Sequence, residues 1–442
     1  MIESRGPVRE IFVRGRREYD CARLTPLVLL IIPVVTMERP APDSQSADYA
    51  WDRVDPRRRA AYEWEPAMKN VRFVGLDVHA QTIAVAVAEA DGEVRSLGVI
   101  CNEADAVRRL VKKLGKPEQL GVCYEAGPTG YVLYWQLMKL GVRCEVIAPT
   151  LVPMKAGDRV KTDRRDAQKL ARCYRAGDLT PVWVPDAAHE ALRDLIRARE
   201  AAKRDQLRAR HRVSKFLLRQ GRRAPPGVTA WSKQYRLWLQ QQSFEQAAQQ
   251  VTLEDYLHEL EHQSARVVRL ERSIDTAVAH VPQHMRQVIN ALQSLRGVAQ
   301  ISAVTLVAEL GEISRFEHPR QLMGYSGVVP REHSSGERVR RGSISKAGNA
   351  HVRRIVLEAA WAYRHRPAIG QALAQRQRGQ SARITQIAWR AQQRLHDRFR
   401  KLSARGKSPQ LTITAVAREL LGFIWALGVA AEQPHRAAPP AA

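Results

Sequence analysis

The chain has 442 residues, more than one ordinary core holds, so its length indicates two or three domains. Hydrophobic residues make up 45% of the chain, which excludes a collagen-like or wholly disordered protein. Lysine and arginine number 71 against 45 aspartate and glutamate, giving a formal net charge of +26. This excess attracts polyanions, because each phosphate that a cation neutralises releases a counterion. The charge alone does not exclude a basic protein that binds polyanions without catalysing a reaction.

The first residues bear on where the protein works. An Arg-rich start precedes the apolar run Leu24–Val35, which resembles a signal peptide but is too short to span a bilayer and contains two prolines. The five cysteines are scattered without a CxxC pair, which is typical of reduced thiols and not of a zinc site. We therefore expect a cytoplasmic protein without a membrane segment. Residues 1–67 are predicted to be a poorly ordered extension, with the functional start at Met68.

Strand-like segments fill the region after Met68. Two apolar runs joined by a short polar turn come first, and strands then alternate with amphipathic helices. The predicted strands are Val71–Val78, Thr82–Ala88, Ser96–Ile100, Gln119–Tyr124 and Arg143–Ala148, and the predicted helices are Glu103–Leu114 and Tyr131–Leu140. A hairpin-like start followed by strand–helix alternation predicts a mixed α/β sheet. Residues 68–184 are therefore predicted to form an α/β domain of the RNase H/RuvC type.

Helical periodicity replaces strands from residue 185. The segment Ala191–Arg219 carries a basic stripe whose members recur at spacings of four and seven: Arg193, Arg197, Arg204, Arg208 and Lys215. Like charges on one helix face repel each other unless they face an anion, so this stripe is a candidate nucleic-acid track. The alternative is an ordinary solvated helix face.

A heptad repeat follows in the same region. Leu253, Leu260, Val267 and Ile274 fall seven residues apart, and apolar residues fill most of the intermediate positions. This spacing predicts a coiled coil within residues 185–285. The pattern leaves open whether the helix pairs within the chain or between subunits.

The last region, residues 286–430, is predicted to be an α-helical domain. It contains a Gly- and Arg-rich loop, Gly324–Gly348, with helices after it to about Leu427. Gly297-Val298-Ala299 resembles the hairpin of helix–hairpin–helix DNA binders, although Ala299 stands where that pattern has its second glycine. Residues 431–442 are rich in alanine and proline and are predicted to be a disordered tail.

Four acidic residues point to chemistry. Asp77 lies inside an apolar strand, where an unpaired acid costs several kcal/mol unless it binds a cation. Glu125 ends another strand, and Asp163 and Asp166 share one face if their segment opens a helix. Such a set suits Mg²⁺ and phosphoryl transfer, because Mg²⁺ prefers oxygen ligands and clamps the reacting oxygens. Each acid alone also has an ordinary explanation: a helix cap, a salt bridge or a lone buried carboxyl. His79 shares the strand face of Asp77 and is expected to pack beside the site.

The order Asp, Glu, Asp, Asp and the sequence Thr162-Asp163-Arg164-Arg165-Asp166-Ala167 resemble the DEDD insertion-sequence transposases. Their RuvC-like domain carries these acids in this order. The glutamate motif departs slightly, since Glu125 is followed by Ala-Gly-Pro-Thr-Gly where many members have Ala-Thr-Gly. The resemblance spans about Val71 to Leu427. It implies that the four acids hold magnesium and are catalytic: Asp77, Glu125, Asp163 and Asp166.

A second part of the resemblance concerns a serine. Tyr325–Gly336 and Gly342–Asn349 are similar to the C-terminal transposase domain of the family, in which a serine before glycine is the proposed nucleophile. The matching residue is Ser335, Ser334 is its main rival, and simple phosphate binding is the alternative for both. Glycines let the backbone approach a phosphate, and four cations could bind it: Arg338, Arg340, Arg341 and Lys346.

The resemblance implies a transposase that cuts and rejoins DNA at element ends and target. It also implies guidance by a structured RNA from the element and homo-oligomers whose active sites are completed across subunits. The basic helical region is where we expect RNA to be held through its backbone. Two alternatives remain: a RuvC-like endonuclease that hydrolyses junction DNA without a serine intermediate, and an inactive binding relic. Ser335 discriminates against the first, and the intact acids argue against the second.

Overall fold

The computed structural model describes residues 71–154, 161–336 and 338–436, with side chains as far as Glu432. The extension predicted at residues 1–67 lies outside these ranges. The described chain begins with a sheet domain and continues as an almost entirely helical structure. This agrees with the predicted α/β domain followed by helical regions.

The sheet domain has five strands in the order β3-β2-β1-β4-β5. The first three strands are antiparallel, and β4 and β5 run parallel to β1. The strands are β1 Arg72–Val78, β2 Thr82–Ala88, β3 Val94–Cys101, β4 Leu120–Glu125 and β5 Arg143–Ile147, and the helices are α1 Ala104–Leu114, α2 Val132–Lys139 and α3 Asp163–Arg175. This topology is consistent with the predicted RNase H/RuvC type. The predicted strands and the first two helices have ends within two residues of those observed.

Side-chain alternation along the strands gives the sheet two different faces. Val74 and Leu76 of β1 belong to a core of branched side chains shared with α1 and α2. Val122 and Tyr124 of β4 join the same core. These residues bury a continuous apolar layer on one side of the sheet, which is the main hydrophobic stabilisation of this domain.

The opposite face is built from small residues. Alanines of β2 and α3 form one buried cluster there: Ala84, Ala86, Ala88, Ala167 and Ala171. Gly75 of β1 lies on the same face, and a Cβ at this position would overlap the carbonyl oxygen of Ala167 and the amide nitrogen of Ala171. The small side chains therefore let α3 lie directly on the sheet.

Two long helices form the middle of the chain. They are α4 Ala187–Arg219 and α6 Ala247–His280, with the short α5 Lys233–Gln240 between them. They pack antiparallel: Leu217, near the end of α4, shares a cluster with Leu253 of α6, whereas Ile196 shares one with Ile274. The heptad residues of α6 thus face α4 of the same chain. A coiled coil between subunits stays a prediction.

The C-terminal domain is helical apart from one hairpin. Its helices are α7 Gln283–Leu292, α8 Gln300–Leu310, α9 Pro319–Tyr325, α10 Ala350–Ala360, α11 Gln371–Gln377, α12 Ala382–Ala404 and α13 Pro409–Arg436, and its strands are β6 Pro330–Glu332 and β7 Arg341–Ile344. The hairpin lies inside the segment predicted as a loop. The last helix also runs beyond its predicted end at Leu427, and the Glu432 carboxylate accepts the backbone N–H groups of Ile313 and Ser314 at 2.8 Å each. Residues 431–436, predicted as tail, are thus helical, and 437–442 lie outside the described ranges.

Helix α13 is the centre of this domain. By length and composition its segment Pro409–Glu432, with a mean hydropathy of 1.6, could cross a membrane. Its apolar side chains are instead packed against α7, α10 and α12, and Val416, Leu420 and Ile424 are fully buried. The apolar composition of this helix is thus explained in part by the side that packs inside the domain.

Candidate active site

The four predicted acids converge at one end of the sheet, on the face that α3 covers. Leu76 pairs with Tyr124 in the parallel β1–β4 ladder, so Asp77 and Glu125 come next on adjacent strands. Asp163 and Asp166 lie in the first turn of α3. The side chain of Thr162 caps this helix by accepting the backbone N–H of Arg165 at 3.4 Å, so the capping role does not fall to Asp163.

The acids influence one another electrostatically. Burial raises the pKa of Asp77, His79 opposes this increase, and the charges of Asp163 and Asp166 add to it. Burial also raises the pKa of Glu125, and the charges of Asp166 and Asp77 raise it further. Partly buried carboxylates that repel one another are stabilised by a bound cation.

His79 lies closer to this cluster than the sequence analysis expected. Its Nε2 atom is 3.5 Å from Oδ2 of Asp77 and 3.5 Å from Oδ2 of Asp163. Its backbone is fixed by a 2.9 Å hydrogen bond from its N–H to the Thr82 carbonyl, and its carbonyl accepts the side-chain amide of Asn102 at 2.8 Å. The imidazole therefore stands among the candidate ligand atoms.

The donor set fits a divalent cation. Ligand atoms of Asp77, His79 and Asp163 all lie within 4.8 Å of one another. Protein oxygen and nitrogen atoms bind such ions at about 2.0–2.2 Å, so one ion fits between these three side chains with small adjustments. Glu125 and Asp166 supply further carboxylate oxygens, the ligand type that Mg²⁺ prefers.

The predicted serine lies at the tip of the β6–β7 hairpin. Ser335 and Arg338 exchange two backbone hydrogen bonds of 3.2 Å, which close the turn. The Ser334 hydroxyl donates to Oε1 of Glu332 at 2.8 Å and accepts the Arg340 N–H at 3.3 Å, so it is held inside the hairpin. Among the described residues, the exposed Ser335 hydroxyl has no hydrogen-bond partner. Both serines are exposed, and within the described ranges they differ in that the Ser334 hydroxyl is hydrogen-bonded within the hairpin whereas the Ser335 hydroxyl is not.

The four cations predicted beside the serine are all on the surface: Arg338, Arg340, Arg341 and Lys346. Lys346 has a φ of 56°, a left-handed conformation that is rare outside glycine. Gly327 lies against the same loop at a φ of 66°, and a Cβ there would overlap the Ala347 carbonyl oxygen. The backbone of the serine region is thus tightly fixed while its charges face solvent.

The stripe predicted on α4 serves partly inside the protein. Arg193 is buried and donates from Nε to the Ala308 carbonyl at 3.1 Å. The prediction that Arg193 contacts nucleic acid from the surface is therefore wrong. Arg197 binds the carboxylate of Glu309 with both Nε and Nη2, at 2.8 and 3.0 Å. The periodicity of the stripe was visible in the sequence, but its contact with an acid more than a hundred residues away was not. Arg197 is still exposed despite this ion pair, as are the other three members: Arg204, Arg208 and Lys215.

Glu309 joins α4 to the loop after the serine hairpin. This fully buried carboxylate also accepts the side-chain amide of Asn349 at 2.8 Å. Asn349 in turn caps α10 by accepting the N–H groups of His351 and Val352 at 3.0 Å each. Burial raises the pKa of Glu309, but the hydrogen bonds from Arg197 and Asn349 outweigh it and lower the pKa. The sequence analysis did not identify this network.

A second buried carboxylate, Glu200, connects α4 to α10. It accepts Nδ1 of His351 at 2.6 Å and lies 3.1 Å from Nη2 of Arg354, and Arg204 is a third partner. Burial raises the pKa of Glu200, but these hydrogen bonds and charges prevail and lower it to about 2. The charged form is therefore strongly favoured in the folded protein.

This depressed pKa predicts an acid-sensitive contribution to stability. The contribution is complete above the unfolded value of about 4.5 and is lost as the pH falls toward 2. We expect Glu200→Gln to cost on the order of 2 kcal/mol at pH 7 and progressively less below pH ~4. Thermal unfolding of both proteins between pH 3 and 7 measures this. Glu358→Gln, which removes an exposed partner of Arg354, is the control and should change little. Parallel pH profiles for wild type and Glu200→Gln would contradict the assignment.

The hairpin at Gly297 packs inside the protein. Gly297 has a φ of 81°, and a Cβ there would overlap the Ala359 carbonyl oxygen of α10. Val298 is fully buried. The turn thus holds α7 and α8 against α10, so its glycine is explained by packing inside the protein.

The structure brings the four acids together and builds the serine hairpin separately. Within the described residues, no hydrogen bond or ion pair joins the hairpin to the acids. Each group is nevertheless well formed: a carboxylate cluster that could hold a metal ion, on a sheet consistent with the RNase H type, and an accessible serine among exposed cations.

Comparison with known proteins covers both groups. A DEDD transposase model of the IS110 type matches residues 74–220, which include all four acids. A second model, described as "Transposase IS116/IS110/IS902 family", matches residues 289–375, which include the serine hairpin.

Individual relatives agree with these matches. The transposase for insertion sequence element IS1533 of Leptospira borgpetersenii is 31% identical over 344 residues, covering 77% of this chain and 99% of the relative. The protein y4qE of Sinorhizobium fredii, also described as a transposase, is 46% identical over 366 residues, covering 82% and 89%. A pilin gene-inverting protein of Moraxella bovis is 25% identical over 199 residues, covering 45% and 51%. The chain therefore belongs to the IS110 family of DEDD transposases.

Proposed function

We propose that this transposase is a magnesium-dependent DNA recombinase in which Ser335 attacks a phosphodiester and becomes covalently joined to DNA. The observation that carries the proposal is the convergence of Asp77, Glu125, Asp163 and Asp166 on one face of the sheet. The relation to a pilin gene-inverting protein also favours recombination over simple cleavage.

The chemistry assigns a separate task to each group. The Ser335 oxygen forms a bond to phosphorus and gives up its proton, while the bond from phosphorus to one sugar oxygen breaks and that oxygen takes up a proton. The four carboxylates would hold a divalent ion, which would stabilise negative charge on the reacting oxygens. The hairpin arginines orient the phosphate through charge-assisted hydrogen bonds. Rejoining reverses the attack with the sugar hydroxyl of another strand.

The geometry favours Ser335 over Ser334 as the nucleophile. The Ser334 hydroxyl is engaged by Glu332 and by the backbone of Arg340, and it would have to leave these partners in order to react. The Ser335 hydroxyl is exposed at the tip of the hairpin. It needs activation, and we assign this to the metal held by the acids, with the two groups brought together in a homo-oligomer or on the DNA.

Partners beyond DNA are part of the proposal. A structured guide RNA would be held through its backbone by exposed cations of the α4 stripe, namely Arg197, Arg204, Arg208 and Lys215. The pairing of α6 with α4 leaves other surfaces for oligomer formation. A cytoplasmic location suits an enzyme that acts on DNA with an RNA partner.

The test traps protein on DNA. Purified protein, RNA transcribed from the element's flanks and Mg²⁺ are incubated with labelled element-end DNA and analysed on denaturing gels. We expect an adduct with wild type and Ser334→Ala, and about 10³-fold less or none with Ser335→Ala, because that variant lacks the attacking oxygen.

Other outcomes would change the assignment. Cleavage without an adduct that survives Ser335→Ala would favour the hydrolytic RuvC-like endonuclease. An adduct lost only in Ser334→Ala would exchange the roles of the two serines. A reaction without the RNA tests guidance separately. If the RNA guides the protein to DNA, no adduct forms without it.

A further inference from the structure

Helix α12 carries a basic stripe on its solvent side. Its members recur at spacings of seven, four, seven and four residues and therefore share one side of the helix, the last of them being the residue directly after α12: Arg383, Arg390, Arg394, Lys401 and Arg405. All of them are exposed, whereas the opposite side of α12 is buried through Ile384, Ala388 and Leu395. The only acidic residue of α12 is Asp397.

The stripe on α12 differs from that on α4 in how its charge is compensated. On α4, Arg197, Arg204 and Arg208 each pair with a carboxylate of the same chain. On α12, Arg394 lies 3.0 Å from Glu419, but Arg398 shares the same carboxylate at 3.1 Å. Among the described residues, no acid lies within 4.0 Å of the cationic groups of Arg390, Lys401 or Arg405. Most of the charge of this stripe is therefore available to an external anion.

The positive charge continues from α12 toward the serine hairpin. Arg418 of α13 is half-buried, and burial lowers its pKa. The neighbouring charges of Arg398 on α12 and Arg341 on β7 lower it further. Arg418 thus lies near a guanidinium group of α12 and one of β7, and Glu419 pairs with Arg398 of α12 at 3.1 Å. Like charges assembled in this way are stabilised by a polyanion.

We propose that the α12 stripe binds the phosphate backbone of duplex DNA and directs it toward the serine hairpin. This inference rests on the proposed DNA chemistry of that hairpin. Arg383 and Arg405 are about 33 Å apart along the helix axis, close to one turn of B-DNA at about 34–36 Å. The stripe contains no aromatic residue, as expected for a backbone contact and not for a single strand stacked on aromatic rings. Trp389 is exposed on α12 but lies away from the line of the stripe.

The experiment compares two triple variants of the full-length protein. Arg390, Lys401 and Arg405 are changed to Gln, and the control changes Arg109, Lys112 and Lys113 on the exposed face of α1 to Gln. Both remove three exposed positive charges. Fluorescence anisotropy measures Kd for a 30-bp duplex of unrelated sequence at several salt concentrations, in a buffer without Mg²⁺. For the α12 variant we expect at least a tenfold higher Kd at ~100 mM salt and a salt dependence shallower by up to about 3 in log–log slope.

Each result decides something. An equal loss in both variants would overturn the proposal, because net charge alone would explain it. Unchanged affinity of the α12 variant would also overturn it, and so would a loss confined to duplex RNA measured in parallel. Binding is read without cleavage, so the result stands even if the serine chemistry fails. The α12 variant should form less serine adduct than wild type at low DNA concentration. If it forms as much adduct as wild type at saturating DNA, the stripe acts in binding alone.

Discussion

Asp77→Asn is expected to reduce strand cleavage and adduct formation about 10³-fold or more, because it removes a central carboxylate from the metal cluster. The fold should remain intact. Asparagine has the shape of aspartate. Losing the charge removes the burial cost that is the main cause of the raised pKa of Asp77, and it relieves the repulsion that adds to the pKa of Glu125. Without metal, we therefore expect the variant to unfold at a temperature equal to or above that of metal-free wild type. Calorimetry should show weaker binding of Mg²⁺ or Mn²⁺ to the variant.

Glu118→Gln is the matched control for this variant. Glu118 is an exposed acid of the same domain, outside the cluster, and its replacement removes the same charge. It should leave cleavage and metal affinity within about twofold of wild type. Full cleavage by Asp77→Asn would show that the metal site does not need this carboxylate. A marked loss of thermal stability in the variant would show that Asp77 has a structural role instead.

Gly75→Val is expected to have the largest effect on stability. Its side chain would overlap backbone atoms of Ala167 and Ala171 in α3, which cannot move aside as a flexible side chain can. The helix must then shift from the sheet, and we expect a cost on the order of 3 kcal/mol. Because α3 carries Asp163 and Asp166, the shift also separates them from Asp77. Thermal unfolding and metal titration measure the two consequences.

Gly370→Ala provides the comparison. A Cβ at Gly370 meets no atom within 4 Å, and its φ of −77° suits any residue. It should be nearly neutral in stability and metal affinity. Gly75→Ala should fall between the two, since its single methyl group already overlaps the helix backbone. Wild-type metal affinity in Gly75→Val would mean that the position of α3 does not control the cluster.

The sheet domain was largely predictable from the sequence because its strands alternate strongly and its turns are short. The proximity of the four acids could be predicted because each stands at a strand end or in a helix start that local patterns reveal, whereas their catalytic role stays a prediction. Gly75 was not singled out, since its importance depends on a helix that begins almost ninety residues later. His79 was assigned to packing because its distance to Asp163 is set by the same long-range approach.

Charge patterns were less informative because periodicity does not reveal partners. The stripe on α4 was recognised, but the pairing of its member Arg197 with Glu309 depends on a tertiary contact across the domain. The stripe on α12 has the same alternation of spacings. Among the described residues, no acid lies within 4.0 Å of its Arg390, Lys401 or Arg405, although Arg394 pairs with Glu419. The β6–β7 hairpin was missed because strands of three and four residues are too short to show alternation.

Helix α4 belongs to two separate cores. Its first part packs into the C-terminal domain through Leu192 and Ile196, while Val213 and Leu217 form a small core with α5 and α6. The second core is far smaller, so it should open at a lower free energy than the domain to which the helix is anchored. Amide hydrogens of one continuous helix would then exchange at two different rates. A nucleic acid held at the exposed end would slow the faster set and leave the slower set unchanged.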